Sequence, residues 1–208
     1  FGTTGNLLLK IRKTTDKAHP FSIQPIQLKQ GAIKINTIFK LCPIDDETLL
    51  IGSSTGVYEY NLRTGNVKRF EGETPAASQF NKSDVRSLMF DEDHILWAGT
   101  NGGGIFRYDV RNKKVQTFTS DYGLIDNSIY AIVRDAHKKI WISTNKGLCK
   151  LDPKTRLFQT FSFKDGISFE QFNTGAATIL HDGRIVFGGT GGYVIFHPDS
   201  IVNPPQAR

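Results

Sequence analysis

A recurring pattern of short apolar runs, each ending in a turn of small residues, restricts the fold of this chain more than any other sequence feature. The runs end at Gly52, Gly99, Ser143 and Gly188, at spacings of 47, 44 and 45 residues. A fifth occurrence fits the amino terminus, where Gly2 lies 50 residues before Gly52. Self-similarity at such a period indicates a chain built from copies of one supersecondary unit.

Each complete unit contains four apolar segments of strand length. In one unit these segments begin at Ile129, Ile140, Leu148 and Leu157, with turn-forming residues between them. The 20 glycines and 15 phenylalanines, beside a single methionine, also favour short strands over helices. We therefore predict an all-β fold, namely a β-propeller segment of four-stranded antiparallel blades with a repeat of about 44–50 residues.

The propeller prediction has consequences for packing and for the limits of the chain. A four-stranded sheet with two apolar faces needs neighbouring blades to cover it, so the rings of Trp97 and Trp141 are expected between adjacent blades. Phe1 and Gly2 match the end of a second strand, and we expect the chain to be the carboxy-terminal part of a larger propeller of the seven-bladed type. The predicted division is a partial blade (1–34), three blades (35–80, 81–124 and 125–170), a terminal incomplete blade (171–202) and a linker stub (203–208).

The charge distribution argues against a nucleic-acid partner. The formal net charge is +6, and residues 1–40 hold seven basic side chains and one acidic side chain, which accounts for the whole excess. A nucleic-acid-binding protein usually spreads its basic residues over the working face. We expect a solvated edge here, where lysines discourage edge pairing, and no nucleic acid bound to this segment.

The sequence contains few elements of catalytic or metal chemistry. Cys42 and Cys149 are the two cysteines and lie far apart, which excludes a disulfide framework and a CxxC metal site. Common hydrolase, zinc-protease and phosphate-loop motifs are absent, and the five histidines are widely spaced. No targeting signal is visible. We expect no catalytic residues in this segment, no cofactor and no metal site.

Four stretches resemble the repeats of a known family. Gly123 to Asp135, followed by Ile140-Trp141-Ile142-Ser143-Thr144, resembles the two-component regulator propeller repeat. Residues 83–109 are similar, and residues 36–60 fit more loosely because Leu50 stands where that repeat has tryptophan. The stretch from Phe172 to Ile201 resembles the terminal propeller repeat in the periplasmic sensor region of Bacteroides-type hybrid two-component systems.

This resemblance implies a function for the segment. The family members are periplasmic ectodomains of inner-membrane proteins that detect glycan breakdown products and signal to a histidine kinase. We therefore expect a non-catalytic, oligosaccharide-binding segment of such a sensor, with the kinase activity in another domain. Two alternatives stay open: a carbohydrate-active enzyme on a propeller scaffold, such as a lyase or hydrolase, and a general protein-interaction propeller. Self-association through exposed propeller ends, or as a sensor dimer, is also expected.

Candidate ligand-binding residues follow from an analogy with other propellers, in which ligands collect at one end of the central channel. That end is formed by the loops leading into the innermost strands and by the turns between second and third strands. Amide and cationic groups suit sugar hydroxyls, and aromatic faces beside amides suit sugar rings. The candidates are Asn81, Thr100, Asn101, Asn127, Asn145, Lys146, Phe169, Gln171 and Asn173. Asparagine also satisfies turn backbone, which is the competing interpretation.

Overall fold

A computed structural model of the chain describes residues 7–28, 35–70, 83–169 and 171–201. Within these ranges the regular structure consists almost entirely of strands. These are β1 (Leu7–Lys13), β2 (Phe21–Gln27), β3 (Ile38–Pro43), β4 (Thr48–Ser53), β5 (Gly56–Asn61), β6 (Val67–Arg69), β7 (Val85–Phe90), β8 (Ile95–Thr100), β9 (Ile105–Asp109), β10 (Lys114–Phe118), β11 (Ile129–Arg134), β12 (Ile140–Thr144), β13 (Gly147–Leu151), β14 (Phe158–Phe161), β15 (Phe172–Ile179), β16 (Ile185–Gly189) and β17 (Gly192–Phe196). Short 3-10 turns span Ser120–Tyr122, Phe163–Asp165 and Pro198–Ser200.

The strands form consecutive antiparallel sheets. β1 and β2 pair as an amino-terminal hairpin; β3–β6, β7–β10 and β11–β14 form a first, second and third four-stranded blade; and β15–β17 form a three-stranded terminal sheet. In each sheet the strand order follows the sequence, so every connection is a hairpin. The innermost strands β3, β7, β11 and β15 contact one another in succession. The predicted all-β propeller of antiparallel blades is confirmed.

The predicted blade limits and the total blade number stay predictions. Residues 1–6, 29–34, 71–82, 170 and 202–208, which contain most of those limits, lie outside the described residues. The assignment of Phe1 and Gly2 to the end of a strand and the proposed linker stub fall there as well.

The apolar core lies between consecutive sheets. One buried cluster joins Leu50 and Val57 of the first blade to Leu88 and Phe106 of the second. Equivalent clusters join the second blade to the third, the third blade to the terminal sheet, and the hairpin to the first blade. Stability therefore depends on each sheet having a neighbour, as expected for a repeat architecture.

Small residues on the second strands let the next blade approach closely. A Cβ added at Gly99 of β8 would lie 2.4 Å from Cγ2 and 2.9 Å from Cβ of Ile129, the first residue of β11. A Cβ added at Gly52 would lie 3.0 Å from the carbonyl oxygen of Val85. Contact between blades thus explains the glycine that ends the apolar run at Gly52 and at Gly99.

The tryptophans of the repeat are fully buried between sheets, as predicted. Trp97 belongs to the cluster between the second and third blades, and Trp141 to the cluster between the third blade and the terminal sheet. Each indole N–H donates to an aspartate in the turn before its own strand, Trp97 Nε1 to Asp91 Oδ2 at 2.9 Å and Trp141 Nε1 to Asp135 Oδ2 at 2.7 Å. These aspartates also accept backbone N–H groups of their turns, so their recurrence reflects turn chemistry.

The amino-terminal hairpin forms a two-stranded sheet of its own among the described residues. Ile11 lies opposite Ile23 and Lys13 lies opposite Phe21. Ile11, Phe21 and Ile23 are exposed on this hairpin. Tyr193 and Ile195 are likewise exposed on β17, the last strand of the terminal sheet.

Candidate functional site

The innermost strand of each blade contains one irregularity at the same place. The pairing of β3 with β4 skips Phe39, that of β7 with β8 skips Arg86, and that of β11 with β12 skips Tyr130. In the terminal sheet the interruption lies between Phe172 and Ala177 and begins at Asn173. β-Bulges of this kind redirect side chains and occur often beside functional sites.

The bulged residues of the three blades meet. The guanidinium carbon of Arg86 lies 5.9 Å from the ring centre of Phe39 and 5.3 Å from that of Tyr130, within the range of cation–π contact. The Tyr130 hydroxyl donates to Asn145 Oδ1 at 2.6 Å. Arg86 also pairs with Asp84 across 3.4 Å. We call Phe39, Asp84, Arg86, Tyr130 and Asn145 the axis cluster.

The axis cluster is held by the strands that surround the propeller axis. Phe39, Arg86 and Tyr130 come from β3, β7 and β11, and Asn145 lies in the turn between β12 and β13. The fourth innermost strand, β15, lies next to the first one, β3. A Cβ added at Gly175 of β15 would lie 3.8 Å from the carbonyl oxygen of Phe39 in β3. The cluster is therefore placed where the innermost strands converge.

The charged pair in the axis cluster is only partly satisfied. The side chains of Arg86 and Asp84 keep 21% and 28% of their surface exposed. Asp84 Oδ2 also accepts from Asn101 Nδ2 at 3.3 Å. Asp84 Oδ1 and Arg86 Nε, in contrast, are buried atoms without a hydrogen-bond partner among the described residues. One acceptor and one donor of the same ion pair are thus unpaired, which is costly in a protein interior.

The candidates predicted from the sequence divide into several groups. Asn145 belongs to the axis cluster, and Asn101 adjoins it through Asp84. Lys146, next to Asn145, lies 3.9 Å from Asp126. Asn173 is exposed at the bulge position of the terminal sheet.

Two candidates serve the turns instead. Thr100 is fully buried, and its hydroxyl donates to the Gly104 carbonyl at 2.9 Å and accepts the Gly103 N–H at 3.1 Å. We therefore correct its assignment from ligand contact to turn stabilisation. Asn127 Oδ1 accepts the Ser120 N–H at 2.7 Å, and the Asn127 carbonyl accepts from Gly102 and Gly104. Its side chain closes the loop between β10 and β11 and its backbone carbonyl joins that loop to the turn between β8 and β9, which is the structural interpretation of asparagine in such a position.

The remaining candidates lie at the terminal sheet or outside the described residues. Phe169 packs against Phe172, with ring centres 5.0 Å apart, and covers Gly189 and Gly191. We assign it to packing. Gln171 is exposed. Its backbone carbonyl accepts the Thr190 N–H at 3.0 Å. Asn81 lies outside the described residues.

Sequence reasoning missed Phe39, Asp84, Arg86 and Tyr130. A signal for three of them exists, because each follows the first apolar residue of an innermost strand, namely Ile38, Val85 or Ile129. That position varies between blades, whereas the residue before it is apolar in each blade. A varying residue inside a repeating frame is the pattern expected of a position that does not fill the core.

The opposite end of the blades carries an ion-pair network. Arg134, which is 11% exposed, lies 3.4 Å from Asp91 and 3.6 Å from Glu92, and it also bonds Asp93. Lys138 pairs with Asp93 at 3.4 Å. The Arg134 guanidinium and the Lys138 ammonium lower the pKa of Asp93. Since Arg134 belongs to the third blade and the acids to the turn after β7, this network joins two blades.

The cysteines have a structural environment. Both are free and buried. Desolvation raises the pKa of Cys149 to about 12 and also raises that of Cys42. Thiols of this kind are unreactive because the thiolate is the nucleophile. Within the described ranges, no three metal-ligating side chains lie close enough together to hold a metal ion.

Comparison with known proteins identifies the repeat. Residues 123–146 match the family described as two component regulator propeller. The first two strands of the third blade, with the loop before them, are similar to the two component regulator propeller repeat. The matched residues run through β11 and β12 and include Tyr130, Trp141 and Asn145. The resemblance inferred from the sequence is thereby confirmed.

Longer proteins contain similar regions. Histidine kinase P4 from Formosa agariphila is 29% identical over 206 residues, covering 76% of this chain and 15% of that protein. The extracellular domain of the hybrid two component system BT4673 from B. thetaiotaomicron matches with a TM-score of 0.73 and 18% identity, covering 97% of this chain and 30% of that chain. For the extracellular domain of BT3049 from the same organism the TM-score is 0.57 and the identity 21%, over 90% of this chain and 32% of that chain.

The similarity to the two solved structures shows a shared fold. The chain spans less than a third of the BT4673 domain and a smaller share of the kinase. Within the part of the chain that the structure describes, no helix is long and apolar enough to cross a membrane.

Proposed function

We propose that this chain is part of a ligand-sensing propeller in the periplasmic ectodomain of a hybrid two-component sensor, and that its ligand is an oligosaccharide derived from a glycan. Several findings support this proposal together. The first two strands of the third blade are similar to a regulator propeller repeat, a similar region occurs in a histidine kinase, and the fold matches extracellular domains of hybrid two component systems. The kinase that transmits the signal is assigned to another part of the sensor.

The axis cluster is the observation that carries the ligand part of the proposal. Phe39 and Tyr130 supply aromatic faces, and Asn145 keeps its amide donors beside the Tyr130 hydroxyl. Aromatic surface with a few oriented polar groups is the usual composition of a small-molecule site. A sugar ring has an apolar C–H face and a rim of hydroxyls. The aromatic rings suit the C–H face, and the polar groups suit the hydroxyls.

Binding without turnover is the expected chemistry. Among the described residues of the axis cluster, Asp84 is the single carboxylate, and it is already paired with Arg86. Hydrolysis of a glycosidic bond usually requires two carboxyl groups at a defined separation. The propeller is therefore proposed to recognise its ligand and leave it intact, while conformational coupling passes the signal across the membrane.

Calorimetry with the longest natural chain that contains these residues tests the proposal. Neutral and acidic oligosaccharide panels are titrated separately, and the mixtures are then examined for new reducing ends. We expect heat of binding from one class, no product, and at least tenfold weaker binding for Tyr130→Ala. Tyr122→Ala is the matched control, because Tyr122 is 66% exposed on the turn after β10, an outermost strand. Product formation, or no binding by any oligosaccharide, contradicts the proposal.

A further inference from the structure

We infer that the axis cluster selects an uncharged sugar and binds two adjacent hydroxyl groups of it through Asp84 and Arg86. This inference rests on the proposed function and specifies its ligand class. It follows from the balance of charge at the cluster, from the unpaired atoms of the Asp84–Arg86 pair, and from the flanking rings.

Two ion pairs lie at this end of the propeller among the described residues. Arg86 lies 3.4 Å from Asp84, and Lys146 lies 3.9 Å from Asp126. A carboxylate or sulfate on the ligand that approaches Arg86 also approaches Asp84, whose repulsion offsets the attraction at similar distance. The site therefore offers an anionic ligand little net electrostatic gain, whereas a neutral ligand meets no repulsion.

The unpaired atoms call for a group that both donates and accepts. Asp84 Oδ1 is an acceptor without a donor, and Arg86 Nε–H is a donor without an acceptor, among the described residues. A hydroxyl can satisfy either atom, and two neighbouring hydroxyls can satisfy both. Hydrogen bonds to charged groups are also stronger than those between neutral groups.

Both side chains are partly open to a ligand, since each keeps part of its surface exposed. Asp84 Oδ1 and Arg86 Nε are themselves buried, so ligand binding requires each side chain to turn and bring that atom to the exposed surface. The rings of Phe39 and Tyr130 on either side of Arg86 limit where the sugar face can lie.

Removing the negative charge at residue 84 separates neutral from anionic ligands. For a neutral sugar, Asp84→Asn replaces a charged hydrogen bond by a neutral one, and we expect the affinity to fall about tenfold or more. For an anionic sugar, the same change removes a repulsion and the affinity rises. Asp46→Asn is the matched control, since Asp46 is exposed in the turn between β3 and β4, at the other end of the blade.

The experiment is calorimetric titration of wild type, Asp84→Asn and Asp46→Asn with neutral oligosaccharides and with uronate-containing ones. The expected result is binding of a neutral oligosaccharide, weakened by Asp84→Asn alone, with a dissociation constant that does not change between about 50 and 500 mM salt. Binding of a uronate that Asp84→Asn strengthens overturns the inference and leaves the proposed function standing. Binding of a neutral sugar that Asp84→Asn leaves unchanged also overturns it. If no oligosaccharide binds, the proposed function itself fails. Equal melting temperatures of the three proteins establish that affinity alone has changed.

Discussion

Substitution of Gly99 by alanine is the sharpest test of how consecutive blades fit together. The added methyl group would lie 2.4 Å from Cγ2 and 2.9 Å from Cβ of Ile129, and 3.1 Å from Cδ1 of Ile132. A Cβ atom does not lie within 3.0 Å of a non-bonded carbon, so one of the two atoms has to shift. Because Cβ of Ile129 is fixed to the backbone, a side-chain rotation cannot relieve the contact, and β11 itself has to move away from β8.

The expected loss of stability for each glycine substitution follows from the same distances. Overpacking a well-filled core costs about 1–3 kcal/mol, and we expect Gly99→Ala to lie at the upper end, at about 3 kcal/mol. At Gly52 the nearest atom is the Val85 carbonyl oxygen at 3.0 Å, so Gly52→Ala should cost less. At Gly188 the nearest atom is Ala176 Cβ at 3.3 Å. Gly188→Ala should change stability by less than about 1 kcal/mol.

Urea denaturation followed by circular dichroism measures this series. The midpoint should shift while the slope stays constant, which indicates a change of stability and not of the unfolded state. A double-mutant cycle adds Ile129→Ala, which removes the γ-carbons that Gly99→Ala would meet. We expect the two substitutions to be non-additive by about 1 kcal/mol or more, with the double variant more stable than the sum predicts. Strict additivity, or equal losses at Gly99 and Gly188, would refute the close contact between β8 and β11.

The remaining predictions concern a buried ring, the thiols and association. Trp141→Ala should cost about 3–5 kcal/mol in urea denaturation; a variant that melts like wild type but loses ligand would instead give Trp141 a binding role. Cys42 and Cys149 should resist a thiol reagent at neutral pH until the protein unfolds. Because burial raises the Cys149 pKa to about 12 from an ordinary 9.0, the folded state should lose stability as the pH rises from 9 towards 12, and constant stability there would contradict this burial. Exposed apolar residues such as Phe21 and Tyr193 should promote self-association, which a strictly monomeric mass in light scattering would exclude.

The sequence predicted the blades because the repeat combines several signals that agree. Three residues of the repeat have identified roles. Glycine near the end of a second strand, as at Gly99, lets the next blade approach. The tryptophan two residues before it bonds the aspartate of the preceding turn. Local patterns of this kind are visible along the chain. Trp97 and Asp91, for instance, are six positions apart and form one hydrogen bond.

The site was less accessible to sequence reasoning because its residues come from different blades. Arg86 lies between Phe39 and Tyr130, 47 and 44 positions away, and no local pattern connects these side chains. Analogy nominated Asn145, which accepts a hydrogen bond from Tyr130 of the cluster, and its part in ligand binding stays a prediction. It also nominated Thr100 and Asn127, whose polar groups are used by the turns. The spacing of residues in the sequence shows where a turn lies. The hydrogen-bond partner of a polar side chain in that turn depends on how the sheets pack together.

The bulges described above also bear on how the proposed ligand site can be altered. A bulged residue is left out of the strand pairing, and Phe39, Arg86 and Tyr130 are each only partly buried. Tyr130 also packs against the core between the third blade and the terminal sheet, so replacing Phe39 or Arg86 should disturb the scaffold less than replacing Tyr130. Each blade thus supplies one position outside the strand pairing, and randomising 39, 86, 130 and 173 together would give a compact library for selecting variants with new ligand preferences.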